Sequence, residues 1–230
     1  MYNGNIDSRI QSDTTVSSVT SHLSIVSYNM HGYNQGSHSV RDLILSAKPD
    51  VFLLQEHWLT PCNLHKFEDD FPQYLCFASS AMRKCIETGV LYGRPFGGVC
   101  VLVKKELQHC TRVLYCSERY IIVSVGMSLI CNVYLPCCGT TDRLCIVDDI
   151  LNDKFQIGCY SMLIGYCVIG GDFNVDLDSD STVSDLINCF VANNAFFRSD
   201  SIFGPGAKRY TYYQDARDVT EHTRLFSRLG

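Results

Sequence analysis

The sequence of 230 residues lacks the features that mark exported, membrane-spanning and zinc-binding chains. Residues 1–22 are rich in Ser, Thr, Asn and Asp without an apolar h-region, so we expect a disordered polar arm and no export. No apolar run approaches the roughly 20 residues that span a bilayer. The 13 cysteines include no C-x-x-C pair, which argues against a zinc knuckle. We therefore expect a nuclear or cytoplasmic protein, not a secreted one, with reduced cysteines that act as small buried hydrophobes.

A strong positive charge is also missing. The net charge of −5 at pH 7 argues against a protein that holds nucleic acid by bulk positive charge. It does not exclude nucleic acid, because a metal site built from carboxylates adds negative charge that bound cations offset. Apolar residues make up 46% of the chain and charged residues 19%, which is the balance of a folded protein. No central stretch has the composition of a linker, so we expect residues 23–230 to form one domain.

Four apolar, β-branched runs each deliver a polar side chain at or near their carboxyl end. They are LSIVSYN ending at Asn29, VFLLQE at Glu56, LICNVY at Tyr134 and YCVIGGD at Asp172. Asn174 follows Asp172 at i+2, and two such residues of an extended strand face the same way. Where strand ends line one rim of a sheet, their side chains can converge on a single site. The four runs therefore predict a candidate active centre.

The periodicity along the chain predicts mainly strands with a few covering helices. Strands are expected over residues 23–28, 51–55, 74–79, 98–103, 120–125, 128–134 and 210–213, and helices over 39–47, from 141 onward, and after a cap at Thr182. This order favours an α/β sandwich of two sheets, although spacing alone does not separate it from an open doubly wound sheet.

The polar strand ends have the chemistry of metal-assisted phosphate hydrolysis. Mg²⁺ takes hard oxygen ligands, and Glu56 with Asn29 beside it supplies them. A hydrolase also needs a group that makes a nucleophile from water and donors that stabilise the phosphoryl oxygens. Asp172 is the candidate to orient the water, and Asn174 and Tyr134 are the candidate donors.

The segments SYNMHG, LLQEHW, NVYLP and GGDFN, in this order and spacing, resemble the endonuclease/exonuclease/phosphatase superfamily. Within it the chain is most similar to the endonuclease domain of non-LTR retrotransposons, whose reading frame usually continues into a reverse transcriptase. The resemblance covers residues 23–229. It implies a four-layer α/β sandwich of two mostly antiparallel β-sheets flanked by helices. It also implies a Mg²⁺-dependent or Mn²⁺-dependent phosphodiesterase that nicks DNA, without a membrane or an obligate protein partner.

The resemblance also assigns roles to the site residues. It implies that Asn29 and Glu56 bind the divalent metal and that Tyr134 touches the scissile phosphate. Asp172 with Asn174 would activate and orient the water.

Two further residues are candidates for contact with the nucleic acid. By the resemblance, Thr211 in RYTYY contacts the nucleic-acid backbone. Arg94 in GRPFGG is a further candidate for DNA contact, although glycine and proline at that density mainly mark a turn.

The chain departs from the pattern of the superfamily at its end. There a segment like 227–229 is normally followed by an Asp, a strand and a terminal Ser-Asp-His, whereas this sequence stops at Gly230. Cooperating catalytic groups lose most of their rate when one is removed, so we expect a domain without its last strands and with little or no activity. The histidines offer no obvious substitute: His57 is expected to point off the site, His222 to be a solvated loop residue, and His31 to make a loop contact.

Two other functions stay open. One is an inositol-phosphate or lipid phosphodiesterase of the same fold, because such relatives share the metal core. The other is a truncated or co-opted domain that folds and catalyses nothing. A nicking assay on supercoiled plasmid beside an inositol phosphate release assay separates the first from a nuclease.

Overall fold

The computed structural model describes residues 23–89, 95–155, 165–198 and 223–229, with the backbone alone for 153–155 and 223–229. The arm expected over residues 1–22 and the strand expected over 210–213 lie outside these ranges. Within them, the strands form two separate mixed sheets, which excludes the open doubly wound alternative.

The first sheet has four strands in the order β1-β2-β4-β3 within the described ranges. Its strands are β1 (Ile25–Asn29), β2 (Val51–Gln55), β3 (Tyr74–Ser79) and β4 (Val99–Lys104). β1 and β2 are parallel, and the other two pairs are antiparallel. The shared direction of β1 and β2 brings their carboxyl ends to the same edge.

The second sheet has six strands in the order β5-β6-β7-β8-β10-β9 over the same part of the chain. Its strands are β5 (Thr111–Cys116), β6 (Tyr120–Val125), β7 (Ser128–Tyr134), β8 (Tyr166–Asp172), β9 (Phe197–Arg198) and β10 (Thr223–Leu229). β7 and β8 are parallel, and the remaining pairs are antiparallel. The parallel pair again places two carboxyl ends side by side.

The helices are short apart from two. They are α1 (Tyr33–Ala47), α2 (Lys66–Asp70), α3 (Arg83–Glu87), α4 (Arg143–Asp148), which continues as a π-helix over Asp149–Phe155, and α5 (Thr182–Asn193), with 3₁₀ turns at Pro61–Asn63 and Lys105–Cys110. Among the helices of the described ranges, none has both the length and the apolar character that crossing a membrane requires.

Three apolar cores separate four layers. On β2, Phe52 and Leu54 pack with α1 and α2, whereas Val51 and Leu53 face the second sheet. This is the alternation of a strand that is buried on both faces. The outer face of the second sheet packs on α4 and α5 through residues such as Ile187. The predicted sandwich of two mostly antiparallel sheets flanked by helices is confirmed.

A buried polar link joins the two sheets directly beneath the carboxyl end of β2. The Asn132 amide on β7 donates to the carbonyls of Leu54 and Cys100, both at 2.9 Å, and accepts from Gln55 Nε2 at 2.7 Å. Gln55 and Asn132 are fully buried. A shift of one sheet against the other would break these bonds and leave more buried amide atoms unpaired beside Gln55 Oε1, which has no partner among the described residues, so the bonds fix the position of one sheet against the other.

Local structure differs from the sequence prediction in several places. Helix α1 begins at Tyr33 rather than residue 39, because the buried Tyr33 hydroxyl donates to the Lys66 carbonyl at 2.8 Å and to Asp70 at 2.6 Å. Ser181, not Thr182, caps α5 through a capping box with Ser184. The predicted helix from residue 141 changes from α to π at residue 149, and strand β5 was not predicted.

Candidate active site

The ends of β1 and β8 meet through a side-chain hydrogen bond between the two sheets. Asn29 Nδ2 donates to Asp172 Oδ2 at 2.8 Å, and the backbone amide of His31 donates to Asn29 Oδ1 at 2.9 Å. Asp172 is 1% exposed. The acid is thus buried at the rim with its carboxylate oriented by an amide from the opposite sheet.

The ends of β2 and β7 meet in the same way. The Tyr134 hydroxyl donates to Glu56 Oε1 at 2.9 Å. Burial, together with the negative charge of Glu56, raises the pKa of Tyr134 well above its usual value, so the phenol stays protonated and remains a donor. Tyr134 is also the register partner of Asp172 in the parallel β7–β8 ladder. The Glu56 pair and the Asn29 pair therefore belong to one cluster.

The backbone around Glu56 holds its carboxylate at the rim. Glu56 lies just beyond β2 in a left-handed conformation with φ 55°, and its amide donates to the carbonyl of Gly98 at 2.9 Å. Its own carbonyl accepts from Gly32 at 2.8 Å. The loop after β1 and the loop before β4 thus hold Glu56 in a backbone conformation that residues other than glycine adopt rarely.

The turn after β8 brings Asn174 back onto Asp172. The backbone N–H of Asn174 donates to Asp172 Oδ1 at 3.0 Å, and the side-chain amide of Asn174 donates to the Leu135 carbonyl at 2.8 Å. The strand ends at Asp172 and Asn174 has φ 50°, so the alternation of an extended strand does not apply to this pair. The two residues meet through a turn instead.

Arg143 clamps the two loops that carry these residues. Its guanidinium donates to the carbonyls of Pro136 at 2.8 Å and Asn174 at 2.6 Å, which joins the loop after β7 to the loop after β8. The sequence prediction missed this residue, because its partners are backbone carbonyls of loops that are remote along the chain. No local pattern signals such a contact.

The residue before Asp172 is Gly171, and the space at this position does not admit a side chain. A Cβ atom at this position would lie 1.9 Å from the Val133 carbonyl oxygen, and its φ is +144°. β8 can therefore approach β7 closely enough to pair Asp172 with Tyr134 only without a side chain here.

The two histidines nearest the cluster differ in environment. His57 is fully buried; its ring accepts from the Leu59 amide at 3.0 Å and lies 3.0 Å from the Ser79 carbonyl. Burial lowers the pKa of His57 to about 4, so it is neutral at pH 7 and locked in the core. His31 is exposed, with Nδ1 3.8 Å from Glu56 Oε2 and its ring against Trp58.

The donor set at the rim fits a hard divalent cation. Glu56 Oε2 and Asn29 Oδ1 are oxygen atoms at one edge of the sheet, and Asn29 Oδ1 has a second lone pair beside the one that accepts from His31. Mg²⁺ binds oxygen atoms of this type together with waters and substrate phosphate. No lysine or arginine within the described ranges lies within 4.0 Å of the Glu56 carboxylate. Across the same ranges, no three His, Cys, Asp or Glu side chains form a group that could hold a metal ion.

The structure brings together five of the seven predicted site residues: Asn29, Glu56, Tyr134, Asp172 and Asn174. Thr211 and Arg94 lie outside the residues that the structure describes.

The fold is shared with solved structures of low sequence identity. They include the 3′ phosphatase NExo from Neisseria bound to a product DNA hairpin, with TM-score 0.69, 16% identity, and 90% of this chain and 86% of that chain covered. An AP endonuclease from Archaeoglobus fulgidus follows at 0.66 and 15%, covering 90% and 86%. The human nocturnin catalytic domain with bound sulfate gives 0.60 and 13%, covering 90% and 82%.

Comparison at the level of sequence gives a match to one protein family and none to an individual curated protein. None of the curated proteins compared with the chain matches it significantly. The model of the Endonuclease/Exonuclease/phosphatase family matches residues 26–206, which is well over half of the sequence and includes all four polar strand ends. The chain therefore belongs to the Endonuclease/Exonuclease/phosphatase family.

Proposed function

We propose that the chain is a metal-dependent phosphodiesterase that hydrolyses the DNA backbone. The observation that carries this proposal is that two hydrogen bonds between the sheets, Asn29 to Asp172 and Tyr134 to Glu56, meet at one rim. The first sheet supplies Asn29 and Glu56, and the second supplies Tyr134 and Asp172. Two carboxylates, a protonated phenol and an amide at one rim are the groups that hydrolysis of a phosphodiester requires.

The residues of the cluster take separate roles in this proposal. Glu56 and Asn29 would hold Mg²⁺ or Mn²⁺, and the bound cation supplies charge neutralisation at the phosphate. Asp172 accepts from Asn29 through one carboxylate oxygen and from Asn174 through the other, and in this proposal the fixed carboxylate takes a proton from water and orients the nucleophile. Tyr134, which stays protonated, donates to a phosphate oxygen in place of Glu56.

DNA is the proposed substrate on two grounds. The neighbours of the same fold include a phosphatase bound to a DNA hairpin and an AP endonuclease. The segments SYNMHG and LLQEHW also resemble retroelement endonucleases, which supports nicking of the retroelement type. The negative net charge is consistent with a substrate whose phosphates are met through a cation rather than through a basic surface.

The test compares wild type, Glu56→Gln and Glu68→Gln, an exposed Glu on α2 that serves as a matched control. We expect wild type and Glu68→Gln to nick supercoiled plasmid at the same low rate when Mg²⁺ or Mn²⁺ is present. Glu56→Gln should be slower by about a hundredfold or more. Thermal unfolding with and without the cation gives a second readout, because a ligand that binds only the folded state raises Tm.

Three results would decide against the proposal. Cation-dependent release of inositol phosphate without nicking would favour the lipid-type phosphodiesterase. No reaction on either substrate would favour a domain that catalyses nothing. A Tm increase that survives Glu56→Gln would remove Glu56 from the metal site.

A further inference from the structure

A cavity of about 420 Å³ opens beside the cluster, with Tyr134 in its wall. Its lining includes Phe96, Gly97, Arg119, Tyr134, Pro136 and Lys84. The volume falls within the range of pockets that hold small molecules or their fragments, about 300–1,000 Å³. A molecule in this cavity would touch the same phenol that donates to Glu56.

Arg119 supplies a positive charge at the cavity wall. Arg119 as a residue is half-buried, and no acidic side chain of the described ranges forms an ion pair with it. The neighbouring Glu118 lies 4.0 Å from Lys84 instead. The backbone carbonyl of Arg119 accepts from the Tyr134 amide at 2.7 Å, so the backbone that carries this side chain is fixed to the strand that carries the phenol. A half-buried arginine without a carboxylate partner is a site for an anion, and phosphate suits its fork geometry.

Phe96 supplies an aromatic surface at the mouth of the same cavity. Phe96 is 53% exposed, so the ring is accessible to a ligand. Its loop is not loosely held. The carbonyls of Gly97 and Gly98 accept from the amides of Trp58 at 3.0 Å and Glu56 at 2.9 Å. A Cβ atom on Gly97 would lie 3.1 Å from Ala81 Cβ and 3.5 Å from the Tyr134 ring, so the loop packs directly on the phenol.

We propose that this cavity binds the nucleotide that adjoins the scissile phosphate. Phe96 stacks on the base, and Arg119 pairs with the phosphate of that nucleotide. An aromatic face and a cation beside one another are the elements with which proteins bind single-stranded nucleic acid without reading its sequence. A polyphosphorylated inositol would use the cation and leave the aromatic surface exposed. The proposal rests on the proposed function for the choice of a nucleic acid, and its test is independent of cleavage.

The test measures the binding of a labelled deoxyoligonucleotide by fluorescence anisotropy in EDTA, where no hydrolysis occurs. Phe96→Ala should weaken binding about fivefold or more, and Phe96→Trp should restore it. Arg119→Ala should weaken binding by a similar factor and reduce the salt dependence by about one phosphate contact. Arg112→Ala removes an exposed arginine of β5 that does not line the cavity, and it should leave binding unchanged.

A second ligand separates the base from the phosphate. On an oligomer in which every base is replaced by an abasic site, Phe96→Ala should have no effect and Arg119→Ala should keep its effect. Equal affinity of wild type, Phe96→Ala and Arg119→Ala for the normal oligonucleotide would overturn the subsite. Displacement of the oligonucleotide by an inositol polyphosphate, without any effect of Phe96→Ala, would overturn it too. A wild type that binds in this pattern and never nicks plasmid would contradict the proposed function and leave the subsite standing.

Discussion

The two sheets contribute unlike halves to the candidate site. In the half from the second sheet, the polar atoms are engaged by the protein itself: both oxygens of the buried Asp172 accept hydrogen bonds, and the Asn174 side chain donates to the Leu135 carbonyl. In the half from the first sheet, Glu56 Oε2 has only the His31 ring nitrogen at 3.8 Å within the described ranges. One half is organised before any ligand arrives, and the other keeps an oxygen available.

This difference suggests a division of labour. An acid that orients a water must be fixed, because a group out of place by an ångström loses much of its effect. A metal-binding carboxylate must instead have lone pairs that the protein does not use. We infer that the second sheet positions the nucleophile and the first sheet binds the cation. Substitutions on either side test this inference.

The largest effect is expected from Asp172→Asn. The amide keeps the shape of the side chain and cannot take a proton from water, so nicking should fall about a thousandfold. The increase in Tm that the cation produces should remain, because Glu56 and Asn29 are unchanged. Plasmid nicking and thermal unfolding measure the two quantities.

Asp69→Asn is the matched control for this variant. The Asp69 side chain is 71% exposed on α2, and its neutralisation should change neither nicking nor the response to the cation. The amide of Asp172→Asn also faces two donors, so its rate is compared at temperatures well below its own Tm. Loss of the cation response in Asp172→Asn would show that both halves bind the metal and would end the division of labour.

The next effect is expected from removing the link that holds the halves together. Asn132→Ala deletes three buried hydrogen bonds, which should lower the free energy of unfolding by about 2–4 kcal/mol. Asn188→Ala deletes one half-buried bond to the Leu177 carbonyl and should cost about 1 kcal/mol. Urea denaturation measures the free energy of unfolding of both variants. Equal losses would show that the hydrogen bonds between the sheets stabilise the fold no more than one ordinary hydrogen bond does.

Tyr134→Phe tests the contact between the halves at the rim itself. The variant removes one hydroxyl and keeps the ring that packs on Gly97. We expect about a tenfold loss in nicking rate, the value of one hydrogen bond to a charged group. The cation response should be kept, since Glu56 Oε1 loses a donor and gains a free lone pair. A loss as large as that of Asp172→Asn would make the phenol a proton carrier instead of a donor.

Much of the candidate site was predictable because its residues lie at the carboxyl ends of apolar strands. β2, β3, β6 and β7 have the bounds that the apolar periodicity predicted, and β1, β2, β7 and β8 deliver their polar residues to one rim. The carboxyl ends of parallel neighbours must meet at one edge, so a run of apolar residues that stops at a polar one carries real information.

The remaining features depend on contacts between residues distant in sequence. Asn132 is a polar residue within an apolar run, and only the opposite sheet reveals its three partners. β5 is predominantly polar or exposed along its length and is a strand because it pairs with β6. Tyr33 extends α1 through bonds to α2. In each case tertiary context overrides local propensity.

The smallest effect is expected at the opposite end of the first sheet. Asp50 accepts from Lys104 Nζ at 2.7 Å and from the amide and hydroxyl of Ser24 at 2.9 Å. Burial acts to raise the pKa of Asp50, but the hydrogen bonds from Lys104 and Ser24 outweigh it and hold the pKa below its usual value. Asp50→Asn should therefore cost about 1 kcal/mol at pH 7 and leave nicking unchanged, because the residue lies at the amino end of β2.

The pH dependence of this cost gives the sharper test. An acid whose pKa is lowered by folding stabilises the protein fully above its unfolded pKa of about 3.9, and this contribution disappears as the pH falls through the lower folded value. The stability difference between wild type and Asp50→Asn, measured by urea denaturation, should thus be constant from pH 7 to about 5 and shrink below about 4. A difference that widens in acid would mean that the bonds of Asp50 do not favour its charged form. A fall in nicking rate would mean that the two ends of the first sheet are coupled, and the cation-binding half would then depend on more than its own rim.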